Sequence, residues 1–599
     1  MPHLKMNPKK ILFKIRSFLT HWQQQLTKKQ FMFLLSVVVG LSAGLAAVLL
    51  KMAVHTVFNI AQHHKFAGSY NVLLLFPLLG LGLTYVIIQK GLGGKLTKGL
   101  APLHFAIAQN NSILPPQQTY AQLVTSPITV GFGGSAGLEA PIVITGAALG
   151  ANYADFFRLT YAERTLLLAC GVAAGIASAF NAPIAGVLFT IEVLMLDIST
   201  TGFIPLLMAA ASGALLSKII LQEGTILSFQ LQAPFNPQNV PFYILLGLLS
   251  GLLSVYHARM FVKIEHFCSH WHPNPYFRML FAGWMLALLI LFFPSLFGEG
   301  YSSIKSLAQM QPNDLFQQSL LHRFITNDWI LLLCVGLVMF FKAIATAVTL
   351  GGGGNGGNFA PSLFVGSYLG FLYAKFINQL NISQLPVSNF TIVGMAGLLS
   401  GLYHAPLTAI FLIAELTGGY SLMIPLMLVT SISYLVSKTL EPHTMDTKRL
   451  ALNRKIRSGN KDANILVTMQ VSTLIETNFV RLHDTDHLEQ LIHAITVSER
   501  NIFPVVDKQN KLVGIVVLND VRPIMFKKEL YRRTQIKSLV KPYPDVIQIT
   551  DDMTTIVEKF ETTQAWNLPV ISEAGYVGFI SKSKLFSAYR TELIQRTIH

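Results

Sequence analysis

Residues 133–150 read GGSAGLEAPIVITGAALG. Small residues lead up to Glu139 and Pro141, and an apolar run follows them. Pro141 marks the start of a helix, because the N–H group that proline lacks would have no partner in the first helical turn. Helix N-termini attract anions through unpaired N–H groups and partial positive charge. The Glu139 carboxylate is therefore placed to compete with a dissolved anion for one site.

The same stretch recurs 220 residues later, where residues 353–370 read GGNGGNFAPSLFVGSYLG. The two copies are identical at Gly133, Gly134, Gly137, Ala140, Pro141, Gly146 and Gly150. Glu139 is replaced by Phe359 in the second copy. Residues 182–192 and 405–415 form another matched pair, at an offset of 223. Two near-equal offsets predict two halves built on one plan.

Hydrophobic residues make up 52% of the 599-residue chain and charged residues only 12%, roughly half the charged share of an average soluble protein. Many apolar runs approach the ~20 residues of helix that cross a bilayer. Several are broken by glycine and proline, which a bilayer tolerates only inside protein or beside a water-filled path. The sequence predicts a polytopic α-helical membrane protein with broken helices in residues 31–450. Paired broken segments in repeats at about 31–227 and 240–440, inferred to have inverted topology, point to a substrate site near the midplane.

Lysine and arginine cluster in the N-terminal arm, residues 1–30, and again around the linker at residues 451–464. Residues 8–25 are expected to form a basic helix at the membrane interface. Excess basic residues at both places predict that both termini are cytoplasmic, in a plasma or inner membrane protein. We assign the net charge of +16 to faces near anionic lipid and expect no nucleic-acid partner. The more polar residues 294–327 are expected to lie outside the bilayer.

After residue 450, charges become frequent and long apolar runs stop. From about residue 465 a helix, two short β-type runs and a further helix occur twice in the same order. The predicted elements are helix 487–497, strands 501–507 and 512–517 and a helix from Asn519, then helix 553–562, strands 567–571 and 576–580 and a helix from Ser581. This pattern is typical of a soluble α/β domain in two copies.

Three motifs carry a resemblance to a known family: Gly137-Leu138-Glu139-Ala140-Pro141, Gly357-Asn358-Phe359-Ala360-Pro361 and residues 182–189, APIAGVLF. With these, the membrane part resembles the CLC chloride channels and transporters. The C-terminal part is similar to a tandem of CBS domains, at residues 465–527 and 537–592. The resemblance implies a homodimer that moves chloride or a similar small anion through a gated pore. It implies a transport protein and no enzyme.

Carried over by resemblance, Glu139 is the gating glutamate, displaced by an anion or by protonation. The backbone N–H groups of Asn358 and Phe359 face the anion from a helix N-terminus, and Gly137 and Ala360 complete this anion site. The family pattern has a basic residue before the glutamate and a glycine after it. Leu138 and Ala140 stand there instead.

Three further departures concern the proton path and the inner end of the pore. Val193 stands where proton-coupled members carry an internal glutamate, as it does in channel-type members, so proton coupling is expected to be weak or absent. The anion-facing serine of the family corresponds to Lys98, or to Gly99 if the register shifts by one. Asp446 replaces the anion-facing tyrosine. Because an unpaired charge within a membrane is costly, Lys98 and Asp446 are expected to form an ion pair.

Two other functions stay open from the sequence: an anion/proton antiporter with a different proton route, and a CBS-regulated transporter of another ion. Divalent-cation sites favour clusters of carboxylates, which the membrane part lacks, and the scattered histidines and three cysteines show no metal-ligand spacing. No cofactor is expected. The CBS pair is expected to bind adenine nucleotide weakly if at all, since Asp520 and Ser581 each belong to an incomplete half-site. Glu192 and Glu415, matched in the two halves, are expected to hydrogen-bond local backbone near a helix end.

Overall fold

The computed structural model describes residues 25–63, 75–196, 200–222, 233–317, 319–452, 466 and 469–596. The predicted basic helix at residues 8–25 and the predicted linker at 451–464 lie almost wholly outside the described residues. The chain divides into two compact units at about residue 454.

The first unit is helical. In chain order its helices are α1 (Lys28–His63), α2 (Leu75–Val86), α3 (Ala101–Gln109), α4 (Gln118–Gly131), α5 (Glu139–Phe156), α6 (Tyr161–Phe180), α7 (Pro183–Val193), α8 (Thr200–Leu221), α9 (Val240–His270), α10 (Pro275–Phe292), α11 (Tyr301–Ala308), α12 (Asp328–Gly351), α13 (Phe359–Gln379), α14 (Val387–Tyr403), α15 (Pro406–Leu416), α16 (Met423–Leu440) and α17 (Met445–Leu452).

Eight helices in the described part of the chain are long and apolar enough to cross a membrane. They begin at Lys28, Tyr161, Thr201, Pro237, Pro275, Asp328, Phe359 and Met423. Shorter apolar helices, such as α7 and α15, lie between them. The chain is therefore a polytopic helical membrane protein in which full-length and short helices alternate, as the broken apolar runs predict.

The two glycine-rich motifs meet each other directly. Gly137 N–H donates to Gly357 O and Gly357 N–H donates to Gly137 O, both at 2.8 Å. These residues are one repeat offset apart, and their bridge is antiparallel. Reciprocal contacts between matched residues are what an approximate twofold axis between the two halves produces. The helices that follow the motifs, α5 and α13, consequently begin at the same place.

Matched glycines also set the spacing of the helix pairs behind the motifs. A Cβ on Gly146 of α5 would overlap the Gly171 carbonyl of α6, and a Cβ on Gly366 of α13 would overlap the Gly394 carbonyl of α14. Small residues allow helix backbones within a membrane to approach closely. The glycines shared by the two copies thus hold each helix pair at backbone contact.

Glu192 and Glu415, at the ends of α7 and α15, also make reciprocal contacts between the two halves. Glu192 accepts hydrogen bonds from the Leu407 and Thr408 N–H groups at the start of α15, at 3.0 and 2.7 Å. Glu415 accepts from the Ile184 and Ala185 N–H groups at the start of α7, at 3.1 and 2.9 Å. The expected structural role at a helix end is confirmed. The expectation of local backbone partners is wrong, because each carboxylate caps a helix of the other half.

Replacing Glu192 with alanine is expected to destabilise the membrane unit by about 1–3 kcal/mol, since two N–H groups at a helix start lose a charged acceptor. Glu415→Ala should cost somewhat less, because Glu192 also accepts from the Thr408 hydroxyl at 2.7 Å, whereas Glu415 has only two backbone donors. Thermal unfolding in detergent would measure both, with the exposed Asp314→Ala as the control. Wild-type stability in both glutamate variants would contradict the capping role.

The second unit is α/β. Its elements are α18 (Val471–Leu474), β1 (Leu482–His483), α19 (Leu488–Val497), β2 (Ile502–Val506), β3 (Leu512–Val517), α20 (Leu518–Val521), β4 (Ile547–Gln548), α21 (Met553–Thr563), β5 (Asn567–Ser572), β6 (Gly575–Ser581) and α22 (Lys582–Arg596). The sheets run β1-β2-β3 and β4-β5-β6, each with one parallel and one antiparallel pairing. The four predicted strands are confirmed to within one residue. The predicted helix at Asn519 is only one turn, and β1 and β4 were too short to predict.

Candidate functional site

Glu139 is the first residue of α5, and its carboxylate lies at the N-terminus of α13. Its Oε2 accepts a hydrogen bond from the Ala360 N–H group at 3.3 Å, and its Oε1 accepts one from the Tyr301 hydroxyl at 2.6 Å. The side chain is 4% exposed. Helix N-termini stabilise negative charge through their N–H groups and dipoles. The carboxylate thus occupies a position with the chemistry of an anion site.

Gly137 makes room for this carboxylate. A Cβ at residue 137 would overlap Glu139 Oε2 and lie 2.9 Å from the Ala360 Cβ. Gly137, Glu139 and Ala360, which the sequence analysis grouped, are therefore brought together around one point.

Asn358 and Phe359 lead into α13 beside this point. In the described part of the chain, their backbone N–H groups have no protein acceptor. The Asn358 amide is fixed on both sides, because its Oδ1 lies 3.0 Å from His257 Nε2 and its Nδ2 donates to Met445 Sδ at 3.2 Å. The chain therefore offers two oriented, buried N–H groups next to the Glu139 carboxylate.

The Phe359 ring lies within an aromatic cluster. Ring centroids of Phe180, Phe189 and Tyr403 lie 5.5, 5.8 and 5.5 Å from that of Phe359. Tyr403 ends α14 and also lies within electrostatic reach of Glu139 and Asp446. Sequence reasoning missed Tyr403, although it matches Phe180 at the offset of 223.

The ion pair predicted between Lys98 and Asp446 at the inner end of the pore is wrong. The Lys98 ammonium donates to the Gly353 carbonyl at 3.0 Å. The Asp446 carboxylate instead lies near the Leu100 N–H group at the start of α3, and its Oδ1 would lie 3.8 Å from a Cβ on Gly99. Each charge meets backbone dipoles rather than the opposite charge, because Gly99, with φ +67°, turns the chain between Lys98 and α3. This arrangement favours the shifted register, with Gly99 facing the carboxylate.

A cavity of about 220 Å³ opens beside Glu139, and we call it the Glu139 cavity. Its lining includes Lys51, His55, Phe180, Glu299 and Tyr301. Glu299 and Tyr301 come from residues 294–327, which the sequence analysis placed outside the bilayer as a polar loop. The structure instead has a partly buried helix in this segment, α11, whose first residue, Tyr301, contacts Glu139. No repeat match marks these residues, so the sequence carried no signal for them.

Comparison with known proteins identifies the membrane unit. A protein-family profile described as "Voltage gated chloride channel" matches residues 82–438, which is more than half of the chain. The chain belongs to the CLC chloride channel family. A second profile, described as "CBS domain", matches residues 471–526.

Individual CLC relatives agree with this assignment. The chain is 30% identical over 386 residues to a putative ClcB-like chloride channel protein of Ralstonia nicotianae, covering 64% of this chain and 86% of the relative. The structure matches a slow cyanobacterial Cl⁻/H⁺ antiporter with a TM-score of 0.61 and 24% identity over 72% of this chain and 98% of the other. It matches a eukaryotic CLC transporter with a TM-score of 0.58 and 18% identity over 92% and 97% of the two chains. At such identities, the two solved structures show the fold alone.

Val193, which stands at the position of the internal glutamate of proton-coupled CLC members, is the last residue of α7 and is 5% exposed. Its side chain carries no proton. The adjacent carboxylate, Glu192, is held by the start of α15 through the hydrogen bonds described above. Neither residue is thus a free acid at the inner end of the site.

In the CBS region, the two candidate nucleotide residues have protein partners. Asp520 forms an ion pair with Lys541 at 2.7 Å, and Ser581 Oγ accepts from the Lys584 N–H group at 3.2 Å. Asp520 lies in α20, which follows the first sheet, and Ser581 ends β6 of the second sheet. Weak nucleotide binding stays a prediction.

Proposed function

We propose that the membrane unit conducts chloride, or a similar small anion, through a pore gated by the Glu139 carboxylate. The observation that carries the proposal is the contact between Glu139 Oε2 and the Ala360 N–H group at the start of α13. An anion in place of the carboxylate would meet the same N–H group. It would also meet the oriented N–H groups of Asn358 and Phe359, which have no protein acceptor in the described residues.

Gating follows from competition for one site. While Glu139 is ionised, its carboxylate takes the hydrogen bonds from Ala360 and Tyr301 that an anion would need. Protonation removes the negative charge, so the attraction to the α13 N-terminus weakens and an anion can replace the side chain. Oriented N–H groups and helix dipoles substitute for part of the ion's hydration, and no covalent step is required.

The inner end of the proposed pore has a second carboxylate at a helix start. Asp446 lies near the Leu100 N–H group at the N-terminus of α3, as Glu139 lies at the N-terminus of α13. Gly99 lies beside it, and Lys98 is held away at the Gly353 carbonyl. We therefore assign Gly99 and Asp446 to the inner anion position and Lys98 to the support of the glycine-rich loop.

The test is anion efflux from liposomes that contain the purified full chain. Chloride, bromide, nitrate and fluoride gradients would each be followed, with protein-free liposomes as the control. We expect chloride efflux well above the control and a rate that depends on pH. Absence of efflux for every anion would contradict the proposal.

Proton coupling is expected to be weak or absent. Val193 carries no proton, and Glu192 is occupied at the α15 start. A chloride gradient imposed on weakly buffered liposomes should therefore move no protons, as read with a pH electrode. A proton ionophore added at the end verifies the detection of proton movement. Uphill proton movement at a fixed ratio to chloride would contradict the uncoupled mode.

That outcome would favour the second candidate function, an anion/proton antiporter with another proton route. One observation supports it: His257 is fully buried and contacts Asn358 at the anion site, while its Nδ1 has no hydrogen-bond partner among the residues that the structure describes. A His257→Gln variant that lost proton movement and kept chloride efflux would assign the route.

We further propose that the protein is a homodimer of the plasma or inner membrane with both termini in the cytoplasm. The basic residues at both ends of the membrane unit support this orientation. The second sheet, β4-β5-β6, repeats the strand order of the first, which supports a second CBS copy at residues 537–592.

A further inference from the structure

The Glu139 cavity contains a second carboxyl group that the proposed gate does not use. Glu299 lies two residues before the start of α11, is partly buried, and lines the cavity together with Glu139. We propose that Glu299 relays protons from the solution to Glu139 and sets the pH at which the gate opens. This inference rests on the proposed role of Glu139 as the gate.

Each of the two carboxyl groups lies against the chain segment that carries the other. The Glu299 carboxyl group faces the N–H group of Leu138, the residue before Glu139. Glu139 accepts one at 2.6 Å from the hydroxyl of Tyr301, two residues after Glu299. Both carboxyl groups line one cavity, so a change of charge on one acts on the other.

Charged groups face Glu299 from three helices. Glu139 faces it from α5, Lys51 from α1 and Lys342 from α12. Lys342 is committed elsewhere, because its ammonium donates to Ser135 Oγ at 2.9 Å and to Gly298 O at 3.0 Å. Lys51 donates to the Ser178 carbonyl at 3.4 Å. The two lysines therefore moderate the repulsion between the carboxylates, and Lys51 is the cation that also lines the cavity.

Two carboxyl groups in one partly enclosed cavity titrate as a pair, because ionising both places like charges close together. His55, an exposed residue of α1, also lines the cavity. A proton can thus enter at this side and bind Glu299 first. In the relay the Glu299 O–H bond breaks as a Glu139 O–H bond forms, which leaves Glu299 ionised and Glu139 neutral. Neutral Glu139 then leaves the α13 N-terminus to the anion.

Glu299→Gln tests the proposal. The glutamine carbonyl can still face Leu138 N–H, but it carries neither charge nor a transferable proton. Without the facing negative charge, Glu139 takes up its proton only at higher proton concentration. We expect the pH of half-maximal chloride efflux to fall by about 1 unit, the size of a typical strong coupling, with the maximal rate preserved. Efflux would be measured with the same pH on both faces of the liposome.

Lys51→Gln should shift the pH of half-maximal efflux in the opposite direction. Removing the cation from the cavity favours the protonated form of Glu139, so the midpoint should rise. Asp314→Asn, which removes an exposed carboxylate in the following segment, should leave the midpoint unchanged. If the Glu299→Gln protein does not elute as the wild type does, the proposal is tested instead by the direction in which Lys51→Gln shifts the pH of half-maximal efflux.

The outcomes separate this inference from the proposed function. A wild-type midpoint in folded Glu299→Gln, or a fall in Lys51→Gln, would overturn the relay. In that case Glu139→Ala could still abolish the pH dependence, and the gate would stand. Absence of chloride efflux in the wild type would overturn the proposed function itself.

Discussion

Replacing Glu139 with alanine is expected to leave anion efflux intact and to abolish its dependence on pH. The carboxylate is the group that competes with the anion at the α13 N-terminus, so its removal leaves the Ala360 N–H and the Tyr301 hydroxyl available to the ion. A charge-assisted hydrogen bond contributes about 1.5–3 kcal/mol. Loss of this competition should therefore raise efflux at neutral pH by about tenfold or more. Efflux from liposomes at a series of pH values would measure both effects.

Glu139→Gln is the matched control, because glutamine imitates the protonated side chain at nearly the same size. It should also be independent of pH, with a rate at or below that of the alanine variant. A Glu139→Ala protein that elutes as the wild type does but shows no efflux would contradict the gate. Efflux that keeps the wild-type pH profile would do the same.

Removing the charge of Asp446 is expected to have the second large effect. In Asp446→Asn the amide oxygen can still lie near Leu100 N–H, while the negative charge at the α3 N-terminus is lost. An anion should then bind the inner position more tightly and cross it faster, by about tenfold if one charged hydrogen bond is at stake. Efflux rates and calorimetric titration with chloride would measure the two quantities.

Lys98→Met is the control that separates this arrangement from an ion pair. Because Lys98 donates to Gly353 O and Asp446 lies near Leu100 N–H, the two substitutions should act independently, within about 0.5 kcal/mol in a double-mutant cycle. A strong coupling between the two substitutions would contradict this arrangement and support an ion pair between Lys98 and Asp446. Unchanged or reduced chloride affinity in folded Asp446→Asn would remove Asp446 from the anion path.

The repeat made much of the site predictable. Gly137, Glu139 and Ala360 lie in the matched motifs, and the family resemblance grouped them at one anion site. The polar segment that carries Glu299 and Tyr301 has no counterpart in the other half. Its average polarity predicted a loop outside the bilayer, and nothing in the sequence indicated that two of its side chains lie at the gate.

Charge pairing was the least predictable feature. Lys98 and Asp446 carry opposite charges and were both expected near the inner anion position. An ion pair was therefore the simplest prediction. Backbone carbonyl and N–H groups satisfy them separately, since Gly99 turns the chain between Lys98 and the α3 N-terminus. Glu192 and Glu415 show the same limit: their role at a helix end followed from the sequence, but their partners lie in the other half.

The sequence by itself determined the membrane class, the twofold plan, the helix starts at Pro141 and Pro361, and the strands of the soluble unit. These features depend on local periodicity, proline and glycine stereochemistry, and residue identity at a fixed offset. Only the tertiary structure decided which groups lie beside which carboxylates: Ala360 and Tyr301 at Glu139, Leu138 at Glu299, and Leu100 at Asp446. Hydrogen-bond partners depend on distances of a few ångströms between segments far apart in the chain, and such distances are fixed by packing of the whole fold.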